Sequence, residues 1–255
     1  MIFDTHAHYD DEAFDDDREE LILSLKGNGI GNVVNVGANL KGSTSSVELA
    51  DKYDFFYAAV GVHPDDAAEI NDEGLAKLRE LANNEKVVAI GEIGLDYYWN
   101  KENSNVQKEA FERQMELARE LSLPIIIHSR EAAKDTMDLL TKHNAGQIGG
   151  VLHCFSYSEE IALEAIKMGL FIGVGGVVTF KNARKLKDTV YKIPLEKIVL
   201  ETDCPYLSPE PFRGKRNSSL NLQYVVKTIS EIKGIDEETV IKQTFKNAKV
   251  LYGRS

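Results

Sequence analysis

The chain has 255 residues, of which 43% are hydrophobic and 28% are charged, which is ordinary for a soluble globular protein with a sizeable core. Its formal net charge of −11 disfavours broad electrostatic binding to polyanions, although a local basic patch beside a metal site is compatible with it. Cys154 and Cys204, the two cysteines, are too few for a disulfide scaffold, and we interpret both as packing residues. No basic-then-apolar signal precedes the first strand and the apolar runs are too short to cross a bilayer, so we expect a cytoplasmic protein, with a monomer as the default.

Short runs rich in apolar and β-branched residues recur along the chain and predict eight strands. The runs are IFDTH (2–6), NVVNVG (32–37), FFYAAVG (55–61), VVAIGE (87–92), LPIIIH (123–128), IGGVLHC (148–154), LFIGVGG (170–176) and KIVLET (197–202). Amphipathic segments between them, such as 16–29 and 106–122, have apolar residues at helical spacing. This alternation predicts a (β/α)8 TIM barrel, in the α/β class, as a single domain over residues 1–255. An open doubly wound sheet is disfavoured, because no glycine-rich phosphate loop follows the first strand.

Most of the histidines fall where a predicted strand ends. His6 and His8 end the first strand two residues apart, and side chains at i and i+2 of a strand point to the same face. Five further polar residues end or follow strands three, four, five, six and eight, namely His63, Glu92, His128, His153 and Asp203. Because the carboxyl ends of all strands meet at one rim of a barrel, we expect these side chains to converge there.

Each of these residues also has a purely structural interpretation. A single histidine at a strand end, such as His153, is commonly a hydrogen-bonded core residue. Glu92 could cap a helix, and Asp203 could start a turn. The convergence favours one metal site over several separate explanations, because clustered buried imidazoles and carboxylates are costly unless they are paired or bind metal.

The set of donors is large enough for two divalent ions. A catalytic ion has three or four protein ligands. His6, His8 and Asp203 would supply three and would hold one ion. His128 and His153 would hold the second, and Glu92 would bridge the two. Asp203 is also the candidate general base for the activated water, with a role as ligand only as the alternative.

Six segments of the chain together resemble the TatD family of metal-dependent deoxyribonucleases, in the amidohydrolase superfamily. They are FDTHAHYD (3–10), GVHP (61–64), GEIGLDYY (91–98), PIIIHSRE (124–131), LHCFS (152–156) and ETDCPYL (201–207). The resemblance runs from residue 2 to about residue 250 and implies a distorted (β/α)8 barrel with one or two divalent metal ions, Mg²⁺, Mn²⁺ or Zn²⁺. It also implies hydrolysis of phosphodiester bonds in DNA, as a 3′→5′ exonuclease or a broader nuclease.

The resemblance implies a role for each matching residue. It assigns the metal ligands as His6, His8, Glu92, His128, His153 and Asp203. It assigns His63 as a site residue that contacts phosphate without binding metal. In one place the chain departs from the family: after RGKRN (213–217), Ser218 and Ser219 replace an acidic or small residue followed by proline. That departure bears on the loop shape and the substrate preference.

Several cations near the predicted rim could bind phosphate. Arg130 could donate two hydrogen bonds to a phosphate, or form a salt bridge with Glu131 or Asp135. Two basic clusters, on loops after strands eight and seven, are interpreted as contacts for a nucleic-acid backbone, although charge runs are usually solvated. They are Arg213, Lys215 and Arg216, and Lys181, Arg184, Lys185 and Lys187. The aromatic residues Tyr97, Tyr98 and Trp99 could stack on an unpaired base or simply pack the rim.

Three functions are compatible with these residues. The first is a nuclease acting on DNA, with single strands or 3′ ends as substrate. The second is a hydrolase of a small amide, lactone or phosphoester on the same metal centre, because function depends on the loops more than on the barrel. The third is a metal-stabilised binding protein without catalysis. The resemblance favours the first.

Overall fold

A computed structural model of the chain describes residues 1–253 and contains eight parallel strands in the order of the sequence, each paired with the next. The strands are β1 (Ile2–Ala7), β2 (Ile30–Val36), β3 (Phe56–Val60), β4 (Val87–Asp96), β5 (Ile125–Arg130), β6 (Gly150–Leu152), β7 (Phe171–Val174) and β8 (Ile198–Leu200). The predicted (β/α)8 barrel is therefore confirmed. Residues 254 and 255, the end of the predicted single domain, lie outside the described residues.

Helices separate the strands and surround the barrel. Within residues 1–253 they are α1 (Arg18–Leu25), α2 (Leu40–Lys52), α3 (Asp72–Leu81), α4 (Ser104–Leu121), α5 (Ala133–Lys142), α6 (Glu159–Lys167), α7 (Arg184–Lys192), α8 (Leu222–Lys233) and α9 (Glu237–Leu251). The predicted helix over 16–29 is shorter, because α1 ends at Leu25 and the chain continues as one 3-10 turn. None of the helices in the described part of the chain combines the length and apolar character needed to span a membrane.

The predicted strand boundaries differ from the observed ones by a few residues in several places, and the difference at the end of β4 bears on the site. Glu92 was expected to end the fourth strand, but β4 continues to Asp96. The extension follows from pairing with β5, in which Gly94 lies opposite His128 and Asp96 lies opposite Arg130. Glu92 consequently lies in the middle of a buried strand, and four further residues carry the strand past it.

The interior of the barrel is apolar at the end opposite the strand carboxyl termini. Phe3, Val88, Ile126 and other strand residues form a cluster there, packed against the end of α9 and the residue after it, Tyr252. The Tyr252 hydroxyl donates to the carbonyl oxygen of Thr5 at 2.8 Å. The last helix thus closes the bottom of the barrel and leaves the upper rim for polar residues.

The barrel closes between β8 and β1 largely through polar contacts beyond the strand ends. The N–H of Asp203 donates to the carbonyl of His6 at 2.9 Å, and the N–H of His8 donates to the carbonyl of Cys204 at 2.8 Å. These bonds fix the chain after β8 against the end of β1, so the two predicted ligand segments are joined by backbone hydrogen bonds.

A buried carboxylate, Asp4, reinforces this closure. It accepts hydrogen bonds from the Thr202 hydroxyl at 2.7 Å and from the Ser219 hydroxyl at 2.6 Å. Burial raises the pKa of Asp4 to about 6, although these bonds act to lower it. The Ser219 hydroxyl also accepts a bond from the Tyr9 hydroxyl at 2.9 Å. Ser219, one of the two positions that depart from the family pattern, therefore has a defined structural role.

We expect Ser219→Ala to lower the free energy of unfolding by about 1–3 kcal/mol, since it leaves Asp4 and Tyr9 each short of a buried partner. The neighbouring Ser218→Ala is the matched control. Ser218 is partly exposed, so its substitution should change stability by no more than about 0.5 kcal/mol. Urea unfolding followed by circular dichroism measures both, and equal stabilities for the two variants would contradict the role assigned to Ser219.

Candidate metal centre

His6 and His8 meet at the upper end of β1. Their Nε2 atoms are 3.0 Å apart, as expected for i and i+2 positions on one face of a strand. The Asp203 Oδ1 atom lies 3.7 Å from His6 Nε2 and 3.4 Å from His8 Nε2. These three residues form a compact group of donor atoms, the same trio that the sequence assigns to the first ion.

Glu92 lies between this trio and the remaining histidines. Its Oε1 atom is 2.7 Å from His128 Nδ1 and 2.7 Å from His153 Nε2. Its Oε2 atom is 3.4 Å from His6 Nε2 and 3.8 Å from His8 Nε2. The two oxygens of this one carboxylate therefore face two different sets of imidazoles, which is the geometry that a bridging ligand needs.

His63, predicted to contact phosphate without binding metal, lies close to the donor atoms of the metal centre. Its Nε2 atom lies 3.8 Å from Glu92 Oε1, and His63, Glu92 and His128 form a second compact donor group. The His63 Nδ1 atom accepts a hydrogen bond from the backbone N–H of Asp65 at 3.2 Å. A neutral His63 ring therefore carries its proton on Nε2, the atom that faces the centre.

Two carboxylates at the centre were missed by the sequence analysis. Asp96 Oδ2 lies 3.1 Å from His128 Nε2, on the side of the ring opposite Glu92. Glu201 lies below His6 and His153, and its Oε1 atom is 4.0 Å from His153 Nδ1. Strand alternation could have found both, because Asp96 follows Glu92 by an even number of residues and Glu201 precedes Asp203 by two.

Glu201 faces the atoms of two histidines that point away from the centre. The rings of His6 and His153 stack with their centroids 4.0 Å apart and direct their Nε2 atoms toward Glu92. Within the described residues, His6 Nδ1, His153 Nδ1 and Glu201 Oε2 are buried atoms that lack a hydrogen-bond partner. A histidine that binds metal through Nε2 needs an acceptor for its Nδ1 proton, and Glu201 is placed to supply it.

The protonation of the site indicates a need for positive charge. Burial lowers the pKa of His6 to about 4, so that ring is neutral. Burial acts in the same direction on His8, but a hydrogen bond and the charge of Asp203 outweigh it and raise the pKa of His8 to about 9. For His128 the hydrogen bond to Asp96 outweighs burial in the same way and raises its pKa to about 9.

The donor set fits divalent metal ions. Imidazole nitrogens and carboxylate oxygens suit Zn²⁺ and Mn²⁺, and a divalent ion would replace the protons on these histidines as the counter-charge to the carboxylates. The residues that would hold the ions are the six predicted ligands, with His63 close enough to join them.

A cavity of about 620 Å³ opens above the donor atoms. His8, His63, Glu92, His128, His153 and Asp203 line its floor, and Asn39, Lys41, Arg130, Tyr206 and Leu207 lie in its wall. His6 is fully buried beneath this floor. Because the donor residues line this cavity, a substrate group that enters it can reach the metal centre.

The predicted phosphate-binding residues are placed differently from one another. Arg130 lines the cavity, whereas Arg213 and Lys215 are exposed on the loop after β8 and are absent from its lining. Arg213 packs over the Phe180 ring at 4.3 Å, and Arg216 pairs with Asp17 at 2.6 Å. The cluster after β7 lies mainly on α7 and is largely exposed.

The salt bridge considered for Arg130 does not form. Asp135 is held by Lys108 at 2.6 Å and by the Tyr97 hydroxyl at 2.7 Å. Among residues 1–253 the Arg130 guanidinium has neither an ion pair nor a hydrogen bond, so a positive charge without an anionic partner lines the cavity.

The family model described as TatD related DNase matches residues 3–253. The chain belongs to the TatD family. It is 46% identical to a metal-dependent hydrolase of Bacillus subtilis, YabD, over 99% of both chains. It is 35% identical to the 3′-5′ ssDNA/RNA exonuclease TatD of Cronobacter sakazakii, over 98% of this chain and 97% of the other. The crystal structure of the Escherichia coli TatD homologue YJJV superimposes with a TM-score of 0.93 at 30% identity, covering 99% of this chain and 98% of that one.

Membership in the TatD family makes the protein a metal-dependent hydrolase, as the names of its relatives state. The donor groups described above are the residues of this chain that could bind the metal. The identity of the bound ion depends on which divalent metals are available in the cell as well as on the ligands.

We expect Glu201→Gln to weaken metal binding by about 10- to 100-fold, since glutamine has one acceptor oxygen for the two Nδ1–H groups of His6 and His153 and presents an NH2 donor in place of the other oxygen. Titration calorimetry with Mn²⁺ or Zn²⁺ measures the affinity. Glu116→Gln, the same chemical change on the exposed surface of α4, should leave it unaltered. An unchanged affinity in a folded Glu201→Gln variant would show that the two rings need no such acceptor.

Proposed function

We propose that this TatD-family protein hydrolyses phosphodiester bonds of DNA and releases nucleotides from the 3′ end of a single strand. The observation that carries the proposal is the position of an unpaired cation, Arg130, in the wall of the same cavity whose floor is the metal centre. A phosphodiester carries a negative charge. An enzyme that hydrolyses it therefore needs both a metal-assisted reaction site and a nearby positive group that binds the phosphate. The relative named as a 3′-5′ ssDNA/RNA exonuclease supports the choice of substrate.

When bound, divalent ions would supply Lewis-acid activation of a water molecule and would neutralise charge on the phosphoryl oxygens. His6, His8 and Asp203 would hold one ion, His128 and His153 would hold the other, and Glu92 would be shared between the two, as the sequence predicts. The protein residues around them orient the substrate and handle its protons.

Asp203 is suited to accept the proton of the attacking water. Burial acts to raise its pKa, but the hydrogen bond to His8 and the charges of His153 and His8 outweigh burial and hold the pKa of Asp203 below its usual value. The side chain is 18% exposed, against 5% for Glu92, so Asp203 is the more accessible of the two carboxylates. An ionised, accessible carboxylate beside the reaction site meets the requirement for a general base.

His63 and Arg130 are suited to hold the phosphate. The Nε2–H of His63 points toward the centre and can donate to a phosphoryl oxygen. Arg130, two residues after His128 on β5, can reach the same or the adjacent phosphate from the cavity wall. Arg213 and Lys215 lie farther out and would contact the backbone of a longer strand.

A hydrolase of small phosphoesters, amides or lactones is the second candidate. It is favoured by the exposure of Arg213 and Lys215 outside the cavity, which leaves Arg130 and Lys41 as the cations in its lining. A small anionic ester needs no more than these. Substrate length separates the two functions, since a nuclease gains affinity from each added nucleotide until the surface site is filled.

We expect the metal-loaded protein to release nucleotides progressively from the 3′ end of a single-stranded DNA oligomer, and Asp203→Asn to lower kcat by about 100-fold or more. Oligomers labelled at the 3′ or the 5′ end, incubated with Mg²⁺, Mn²⁺ or Zn²⁺, give the direction of digestion. Asp188→Asn, an exposed carboxylate on α7, is the control, and metal content is measured in both variants because Asp203 is also a predicted ligand.

Intact oligomers with all three metals, beside turnover of bis(p-nitrophenyl) phosphate, would contradict the nuclease and favour the small-molecule hydrolase. Turnover of neither substrate by metal-loaded protein would contradict both the nuclease and a hydrolase of small phosphoesters.

A further inference from the structure

Two large aromatic side chains lie exposed just beyond the end of β4. Tyr98 is 50% exposed and Trp99 is 62% exposed. Their rings meet edge to face with centroids 4.6 Å apart. Half or more of each side chain remains in contact with water, so this aromatic surface is available to a ligand.

Arg130 packs against both rings. Its guanidinium carbon lies 4.1 Å from the centre of the Tyr98 ring and 5.6 Å from that of Trp99. Such contacts between a cation and aromatic rings are favourable and hold a long flexible side chain in place. The same arginine lines the cavity above the metal centre, so the aromatic pair lies next to the cavity mouth.

One carboxylate links this aromatic pair to the metal centre. Asp96 Oδ2 lies 3.1 Å from Nε2 of the predicted ligand His128. Asp96 Oδ1 accepts the backbone N–H of Tyr98 at 2.9 Å and that of Trp99 at 3.1 Å. The backbone that carries the two rings is therefore tied to the metal centre by a buried side chain.

The backbone on each side of the pair is also held. Tyr97 N–H donates to the carbonyl of Arg130 at 2.9 Å, and Gln107 Nε2 donates to the carbonyls of Asp96 and Asn100 at 3.0 Å each. A rigid aromatic surface loses little entropy when a flat ligand stacks on it, which favours binding.

We propose that Tyr98, Trp99 and Arg130 form a stacking platform for a nucleobase next to the scissile phosphodiester. The base stacks on the aromatic rings. The guanidinium of Arg130, which lies between the rings and the cavity, forms an ion pair with the adjoining phosphate. This inference rests on the proposed function and deepens it, because it names unpaired nucleotides as the part of the substrate that the platform recognises. Stacking accepts any base, and only an unpaired base can move onto the platform at no cost in base pairing.

Trp99 is the sole tryptophan of the chain, so its fluorescence reports on the platform alone. We expect a single-stranded oligonucleotide with non-hydrolysable phosphorothioate linkages to quench this emission. Oligonucleotides that carry an abasic residue at one of the last two 3′ positions identify the base that stacks, since its removal should abolish most of the quenching. Equal quenching by the intact and by both abasic oligonucleotides would overturn the proposal.

Kinetics provide an independent test. We expect Trp99→Ala to raise the KM for a single-stranded oligonucleotide by about ten-fold or more with little change in kcat, and Trp99→Phe to restore most of the affinity. The matched control is Tyr191→Ala, which removes another exposed aromatic residue at the end of α7, 66% exposed, away from the cavity lining. With the abasic oligonucleotide, Trp99→Ala should cost nothing further, because the stacked base is already missing.

Failure of the platform can be distinguished from failure of the proposed function. An oligonucleotide cleaved equally well by the native protein and by Trp99→Ala would refute the platform while leaving the nuclease intact. Absence of cleavage of any nucleic acid, together with unquenched Trp99 emission, would refute both. Turnover of bis(p-nitrophenyl) phosphate, which has no nucleobase, should be the same in the native protein and in Trp99→Ala, and a loss there would point to damage at the metal centre instead.

Discussion

The carboxylate of Glu92, buried in the middle of β4, is the group on which the rest of the site depends. One oxygen faces His128 and His153, and the other faces His6 and His8. A buried carboxylate is stable only when positive charge or hydrogen bonds compensate it, and here three other strand ends supply that compensation. Closure of the barrel brings the imidazoles to Glu92, and it also creates the site that requires a cation. Burial of either the imidazoles or Glu92 without the other would cost free energy.

The continuation of β4 beyond Glu92 gives the centre its second layer. The extra residues bring Asp96 behind His128, where it fixes the orientation of the ring and also holds the backbone that follows the strand. Glu201 lies in the corresponding place behind His6 and His153. His128, His6 and His153 therefore each have a carboxylate near the side of the ring that faces away from Glu92, an arrangement that raises ligand basicity and limits rotation of the ring.

Much of this was accessible from the sequence, for a physical reason. Strand alternation and the convergence of strand ends place His6, His8, Glu92 and His128 together without knowledge of any distance. Strand alternation also places Asp96 and Glu201 on the same faces as the ligands near them, but it does not show which imidazole each carboxylate contacts, because those partners are remote in sequence. The placement of the basic side chains on the loops was harder to predict than that of the ligands. Charge runs such as 213–217 were interpreted as facing the site, but ion pairs and ring contacts formed in three dimensions turn some of these cations elsewhere.

The backbone hydrogen bonds between the end of β1 and the segment after β8 have a consequence for how the protein folds during synthesis. His6 lies at the end of the first strand and is synthesised long before Asp203, which follows the last strand, and the backbone hydrogen bonds between these two segments connect the first strand to the last. Contacts of such long sequence separation form late, and synthesis proceeds from the amino terminus. A nascent chain therefore exposes a pair of histidines well before it can complete their coordination, and the finished metal site can exist only after the barrel has closed.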